Sequence, residues 1–199
     1  KQTTSFNFNY RKGKLNLFGN YNYNYREGKS DLELTRKFFE KNGDLNSTSS
    51  SITYFNFRNN NHTLKVGFDY YADKNNVFGV VLNGFGFFGR PRPNSTQTIM
   101  LPDGAIQSVL RSATTNKLTF FNYSSNFNYK HTFDTLGTEL TADLDYIGYS
   151  NGSKSLLITD VFDVNGVKKG NLTLQGDIPG IINIYSAKAD FTHPMKKDM

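Results

Sequence analysis

From Lys14 to Tyr25 the sequence alternates with a period of two: Leu15, Leu17, Gly19, Tyr21, Tyr23 and Tyr25 are interleaved with Lys14, Asn16, Phe18, Asn20, Asn22 and Asn24. Successive side chains of a strand point to opposite faces. A strand here therefore has one aliphatic and aromatic face and one face made mostly of asparagine. Asparagine and glycine also disfavour helix interiors, whereas aromatic residues suit a pleated surface.

The pattern recurs along the chain. Phe6, Phe8 and Tyr10 alternate with Ser5, Asn7 and Asn9, and Leu64, Val66, Phe68 and Tyr70 with Lys65, Gly67 and Asp69. Phe121, Tyr123, Ser125, Phe127 and Tyr129 alternate with Asn122, Ser124, Asn126, Asn128 and Lys130. Leu140, Ala142, Leu144 and Tyr146 alternate with Thr141, Asp143 and Asp145, and Tyr185, Ala187, Ala189 and Phe191 with Ser186, Lys188, Asp190 and Thr192. Val77 to Phe88 is apolar on both faces, with glycines at 79, 84 and 86.

Tyr10, Tyr70, Tyr129 and Phe191 each close an alternating run just before a short polar turn, and they lie 60, 59 and 62 residues apart. The last of these turns is expected at Pro194, Met195, Lys196 and Lys197. Between these aromatics the sequence predicts a rising strand, a long polar excursion and a descending strand. The excursions are Gly28 to Ser50, Gly89 to Asn116 and Ser150 to Gly180. A soluble sandwich turns every ~8–12 residues, so this period is too long for one of its hairpins.

Long loops on one side and short turns on the other suit an outer-membrane barrel, whose tilted strands cross in about 9–11 residues. The expected fold is an all-β, antiparallel up-and-down meander of about seven long strands, forming part of a large transmembrane β-barrel. Those strands would begin near Ser5, Lys14, Ser51, Val77, Leu118, Leu140 and Ile182. Tyr10, Tyr70, Tyr129 and Phe191 would mark the membrane interface on the short-turn side.

Composition fits this reading. Only 37% of residues are hydrophobic while 15% are aromatic, and no apolar stretch approaches the ~18 residues of a membrane helix. A barrel strand shows lipid only every second residue and looks polar on average. The formal charge of +6 raises the question of nucleic acid, but the cations are dispersed, as at Arg11, Lys12, Lys14, Arg90, Arg92, Lys168 and Lys169, so no nucleic-acid partner is expected. Without cysteine there is neither a disulfide nor a thiolate metal site.

The segments beginning Lys14-Leu-Asn-Leu-Phe-Gly, His62-Thr-Leu-Lys-Val-Gly-Phe-Asp, Val80-Val-Leu-Asn-Gly-Phe, Glu139-Leu-Thr-Ala-Asp-Leu-Asp and Tyr185-Ser-Ala-Lys-Ala-Asp-Phe resemble the outer-membrane β-barrel family of Bacteroidota, which looks like the barrel portion of TonB-dependent receptors. The resemblance covers nearly the whole chain. It implies a barrel of about twenty or more strands, of which residues 1–199 would be a partial wall without a plug domain. It also implies location in the outer membrane, a role in solute capture and uptake, and as partners outer-membrane lipid, the remaining strands and plug of the parent protein, and a TonB-type energy coupler.

Motifs that could carry chemistry have plainer readings. Of the three histidines, His62, His131 and His193, the last two each follow an interface aromatic by two residues, which would allow a shared metal ion, but they are expected to be polar strand-end residues, with no metal. Asp163-Val-Asn-Gly is expected to be a hairpin turn, and Asn42-Gly43, Asp103-Gly104 and Asn151-Gly152 are read the same way. Gly84, Gly86 and Gly89 lack the following helix of a dinucleotide site. No nucleophile motif or carboxylate pair stands out, so no enzyme and no cofactor are expected. If a ligand is captured, the expected contacts are Phe87, Phe88, Arg90, Arg92, Arg111, Lys154 and Lys168, assigned to the long loops. The rival expectation is a soluble secreted or surface β-domain whose aromatics fill a sandwich core and whose loops bind glycan or protein. A piece of wall with unpaired edges is also expected to self-associate.

Overall fold

A computed structural model describes residues 1–195. Eight antiparallel strands form one sheet: β1 (Gln2–Lys12), β2 (Leu15–Phe39), β3 (Leu45–Tyr71), β4 (Asn76–Gly89), β5 (Arg92–Met100), β6 (Ile106–Thr132), β7 (Glu139–Phe162) and β8 (Lys168–Thr192). Each strand pairs with its sequence neighbours, except that β4 and β5 both lie between β3 and β6. The sheet is open, β1 and β8 having one partner each.

β4 and β5 are one strand with a short interruption. The register that pairs Asn59 with Gly89 continues without a shift to Asn56 and Arg92. Arg90 N–H still donates to the Arg58 carbonyl at 2.9 Å, and the Pro91 carbonyl accepts from Asn116 N–H at 3.1 Å. The break falls where Pro91 and Pro93 have no N–H to give. Counted through this break, the meander has the seven strands the alternation predicts.

The excursions do not form long loops. β2 and β3 stay paired out to Phe39 and Leu45, β5 and β6 out to Met100 and Ile106, and β7 and β8 out to Phe162 and Lys168. These stretches are polar, but the ladder is made of backbone bonds and asks only that side chains tolerate extended backbone. The tips are tight, closed by Gly43 (φ 92°), Gly104 (φ 85°) and Gly166 (φ 75°). The hairpin readings at Asn42-Gly43, Asp103-Gly104 and Asp163 to Gly166 therefore hold. That at Asn151-Gly152 does not: both residues lie inside β7, paired with Phe120 and Thr119 on one side and with Gly180 and Pro179 on the other. On the opposite side the short turns close at Gly13 (φ 56°) and Gly137 (φ 100°), as expected. The turn read at Pro194 to Lys197 falls partly outside the described residues, which stop before Lys196.

Among the described residues no apolar side chain is buried. A single layer cannot enclose a core, and this overturns the sandwich rival, whose aromatics would have had to meet a second sheet. The alternation instead separates two faces. On one, Phe6, Phe8, Tyr10, Leu15, Leu17, Leu64, Leu82, Phe127 and Leu144 are all exposed, Leu82 at 50% and Leu144 at 56%. The other face is more covered, as a sheet curving toward it requires, so the apolar face is convex and the amide-rich face concave.

Strand ends step in one direction at both edges of the sheet. Short turns follow Lys12, Tyr71 and Thr132, and translated through the register each lies further along than the one before. On the far side, Met100 stands opposite Thr48 and Phe162 opposite Val109, so those tips fall short of the β2–β3 tip. Strands of similar length offset in one sense make a slanted parallelogram, the stagger that tilted barrel strands need.

Candidate functional site

The convex face carries a band of defined height. On β2 it runs from Leu15 to Tyr25, on β4 from Phe78 to Phe88, and on β6 from Thr119 to Tyr129, each about 11 residues. At ~3.3 Å per residue and ~45° of tilt this is about 25 Å, the height of the apolar belt of an outer-membrane barrel. Above the band the face becomes charged on a single rung. Glu27 stands opposite Arg58, Arg58 opposite Arg90, Arg90 opposite Lys117, Lys117 opposite Lys154, and Lys154 opposite Asp177.

Over the same height the concave face is mostly polar, apart from a stripe of Val81, Phe85, Phe87, Phe120 and Tyr149, in which the Phe85 and Phe120 ring centres are 6.0 Å apart. Asn16 Nδ2 donates to Asp69 Oδ2 at 3.0 Å, Asn22 Nδ2 to Ser5 Oγ at 2.7 Å, Asn83 Nδ2 to Ser124 Oγ at 3.0 Å and Asn126 Nδ2 to Asp145 Oδ1 at 2.7 Å. These are cross-strand bonds between neighbours in register, so they tie the strands while leaving amide groups turned to water. A hollow of about 680 Å³ opens on this face among Asn22, Asn24, Arg26, Asn59, Asn61 and Phe87. Its amides offer donors and acceptors, and Phe87 an aromatic surface.

Beyond the charged rung, residues that would have been loops form projecting strands with a different dressing. Outward come Lys29, Asp31, Glu33 and Lys37, while Leu32, Leu34, Phe55 and Phe57 turn to the concave side. The outer half of β2 is thus amphipathic in the reverse sense to the band, whereas β3 and β7 still turn Ile52, Tyr54, Leu156 and Ile158 outward.

The seven residues assigned to ligand contact do not gather in one place, and six of the seven lie on strands, with Arg90 in the break between β4 and β5. Phe87 is on the concave face. Phe88 is on the convex face, edge-on to His62 at 6.1 Å and to Phe121 at 5.3 Å. Arg90 and Arg92 flank a convex hollow of about 540 Å³ together with Lys29, Arg58, Asn56 and Asn94. Arg111 lies further out, its guanidinium 5.0 Å from the centre of the Phe162 ring. Lys154 pairs with Asp177 at 3.1 Å, and Lys168 with Asp160 at 2.7 Å. Sequence reasoning missed Lys29, Arg58 and Lys117. The signal that joins them to Arg90 is cross-strand register, which no single segment displays.

Tyr10, Tyr70, Tyr129 and Phe191 all lie on the convex face near the short turns; Tyr70 and Tyr129 flank Phe78 on one rung, with Tyr10 one convex step further from the turns and Phe191 one step beyond on the other side. Tyr129 stacks on Phe78 at 4.8 Å and its hydroxyl donates to Asn76 Oδ1 at 2.7 Å. The histidines have side-chain partners: His62 Nδ1 is 2.7 Å from the Tyr21 hydroxyl, His131 Nδ1 2.8 Å from Asn76 Oδ1, and His193 Nδ1 3.0 Å from Thr138 Oγ1.

No curated protein matches the chain. Residues 131–199, from the end of β6 through β7 and β8, match the sequence model of the outer membrane protein beta-barrel family. With a convex apolar band of membrane height and no buried apolar side chain among the described residues, this match identifies the chain as outer-membrane β-barrel, located in the cell outer membrane.

Proposed function

We propose that the chain is a wall segment of an outer-membrane receptor of the TonB-dependent kind, which captures a polar solute at the cell surface and passes it along the amide face. One observation carries the reading: β2, β3 and β6 present an apolar convex band about 11 residues high and, behind it, a concave face rich in asparagine, interrupted at β4 by Val81, Phe85 and Phe87. A barrel used only as an anchor has no need of a concave face rich in unspent amides. The hollow lined by Asn22, Asn24, Asn59 and Asn61, and also by Lys1 and Arg26, suits a solute bearing hydroxyl or amide groups and no net positive charge. The remaining strands would pair with the open edges of β1 and β8, and a plug and energy coupler would act through the rest of the parent protein.

The test is uptake by cells lacking the parent gene, complemented with wild type or with Asn24→Leu/Asn61→Leu. Loss of uptake of one solute class in the deletion, and a several-fold fall in the variant at equal surface abundance, supports the reading. Unchanged uptake of every solute in the deletion sinks it.

A further inference from the structure

The charged rung above the apolar band is an unusual arrangement. Arg58, Arg90, Lys117 and Lys154 stand side by side on adjacent strands, and like charges directly opposite one another repel. Acids compensate only the ends: Glu27 lies 3.5 Å from Arg58, and Asp177 3.1 Å from Lys154. Arg90 and Lys117 have no carboxylate within salt-bridge distance among the described residues, and the next rung adds Lys29 and Arg92 rather than acids. Lys29, Arg58, Arg90 and Arg92 line the hollow of about 540 Å³ with the Asn56 and Asn94 amides, four cations against the single carboxylate of Glu27, which also lines it. Clustered guanidinium groups with supporting amides are the chemistry that binds phosphate.

Directly below, on the same strand and face, Gly84 and Gly86 leave a second hollow. It measures about 480 Å³, and its walls include Tyr21, Leu64, Phe88, Phe121 and Tyr123. These glycines are not required by the packing of the wall. A Cβ at Gly84 would meet nothing nearer than the Leu64 Cβ at 3.9 Å, and one at Gly86 would meet Phe121 at 3.4 Å. Gly67 and Gly148 differ, their space being filled by the rings of Phe18 and Tyr123. The empty trough is apolar, lies within the band, and runs up β4 to the arginines, with Phe88 as its lip.

We propose that this convex surface holds one phosphate-bearing membrane lipid, its headgroup phosphate among Lys29, Arg58, Arg90 and Arg92 and an acyl chain in the trough over Gly84 and Gly86. Cations alone would take any anion. The trough beneath them, at the depth of acyl chains, selects an anion with a hydrocarbon tail. The bound phosphate relieves the repulsion within the rung. This surface faces away from the amide face and its hollow, so the inference stands apart from the uptake reading and needs only the membrane placement.

The test is lipid retention on the complete protein in mild detergent, followed by native mass spectrometry with phosphatidic acid and phosphatidylcholine of identical chains. Phosphatidic acid should be retained about tenfold over phosphatidylcholine, and Arg90→Gln/Arg92→Gln should remove most of that preference. Gly84→Leu should lower phosphatidic acid retention by filling the trough, with the gel mobility of the folded barrel unchanged. Lys65→Gln, on the concave face, serves as the control and should change nothing. Equal retention of the two lipids, or an arginine variant that retains phosphatidic acid like wild type, overturns the proposal. So does retention abolished by millimolar inorganic phosphate and indifferent to Gly84→Leu, which would make the hollow a site for free anions. Should the double arginine variant fail to fold, Lys29→Gln alone, at the same hollow, carries the same expectation at smaller amplitude.

Discussion

Gly67 sits opposite Phe18 in the register, and a Cβ built on it would lie 2.0 Å from the Phe18 ring. The ring occupies the space that a side chain would claim, and Tyr123 does the same over Gly148, where the closest approach would be 2.2 Å. Such pairs cover backbone that glycine would leave bare and fix the aromatic rotamer. Gly67→Val should therefore force Phe18 off its seat and cost about 1–3 kcal/mol, read as a lower urea midpoint of the folded barrel in lipid. Phe18→Ala in the Gly67→Val background should recover part of the loss. No recovery would mean that the clash is not the cause. The turn aspartates work through hydrogen bonds instead. The Thr138 hydroxyl, with Thr138 N–H donating to Asp134 Oδ1 at 3.0 Å and Leu136 N–H at 2.8 Å, holds the Asp134 carboxyl below the usual carboxylate range. A depressed carboxylate contributes stability above its unfolded pKa and loses it as pH falls through the folded one. Amide protection at Leu136 and Thr138, corrected for intrinsic exchange, should thus fall on acidification below the ordinary aspartate range. In Asp134→Ala it should be low and flat at all pH.

Within the band the elements were legible because residues on one face of each strand are apolar and on the other polar, and lipid on one side with water on the other keeps that contrast sharp. Beyond Tyr25 the contrast reverses and weakens: Glu27, Lys29 and Asp31 face outward and Leu32 and Leu34 inward, with water accessible to both sides. A strand solvated on both faces has no hydrophobic period to read, so the excursions looked like loops although their backbone ladder is unbroken. The break at Pro91 was likewise readable only as a turn signal, because the sequence does not display that Arg58 and Asn116 keep the ladder going. The candidate contact residues suffered from the same blindness. Arg90 and Arg92 were visible as isolated cations, but their company of Arg58 and Lys29 comes from strands far away in sequence. If the extensions fold on the support of the band, shortening the β2–β3 hairpin by removing 30–55 should leave membrane insertion intact. The shortened protein should still shift on heating in gel electrophoresis, and loss of that shift would show that the extension is needed to form the wall.

At the scale of the whole molecule, everything depends on which face meets lipid. The open sheet has two free edges and an exposed greasy face, which in water would drive association with other copies and in a membrane would lie against acyl chains. The faces can be told apart by placing the same charge on each side of one strand. Leu82 is midway up the band on the convex face, 50% exposed, and its chain neighbour Asn83 points to the concave side and bonds Ser124. In the complete protein refolded into lipid, Leu82→Arg should cost about 2–4 kcal/mol, the penalty for arginine near the bilayer midplane. Asn83→Arg enters a wet, amide-lined space and should cost little beyond the lost hydrogen bond, about 1 kcal/mol. A soluble domain would give a different result, because Leu82→Arg would place a charge on a water-exposed surface at almost no cost. Equal tolerance of both substitutions in lipid would therefore remove the physical basis for the barrel wall, while a penalty confined to Leu82 would locate the acyl chains on the convex side at the level of Gly84 and the lipid trough.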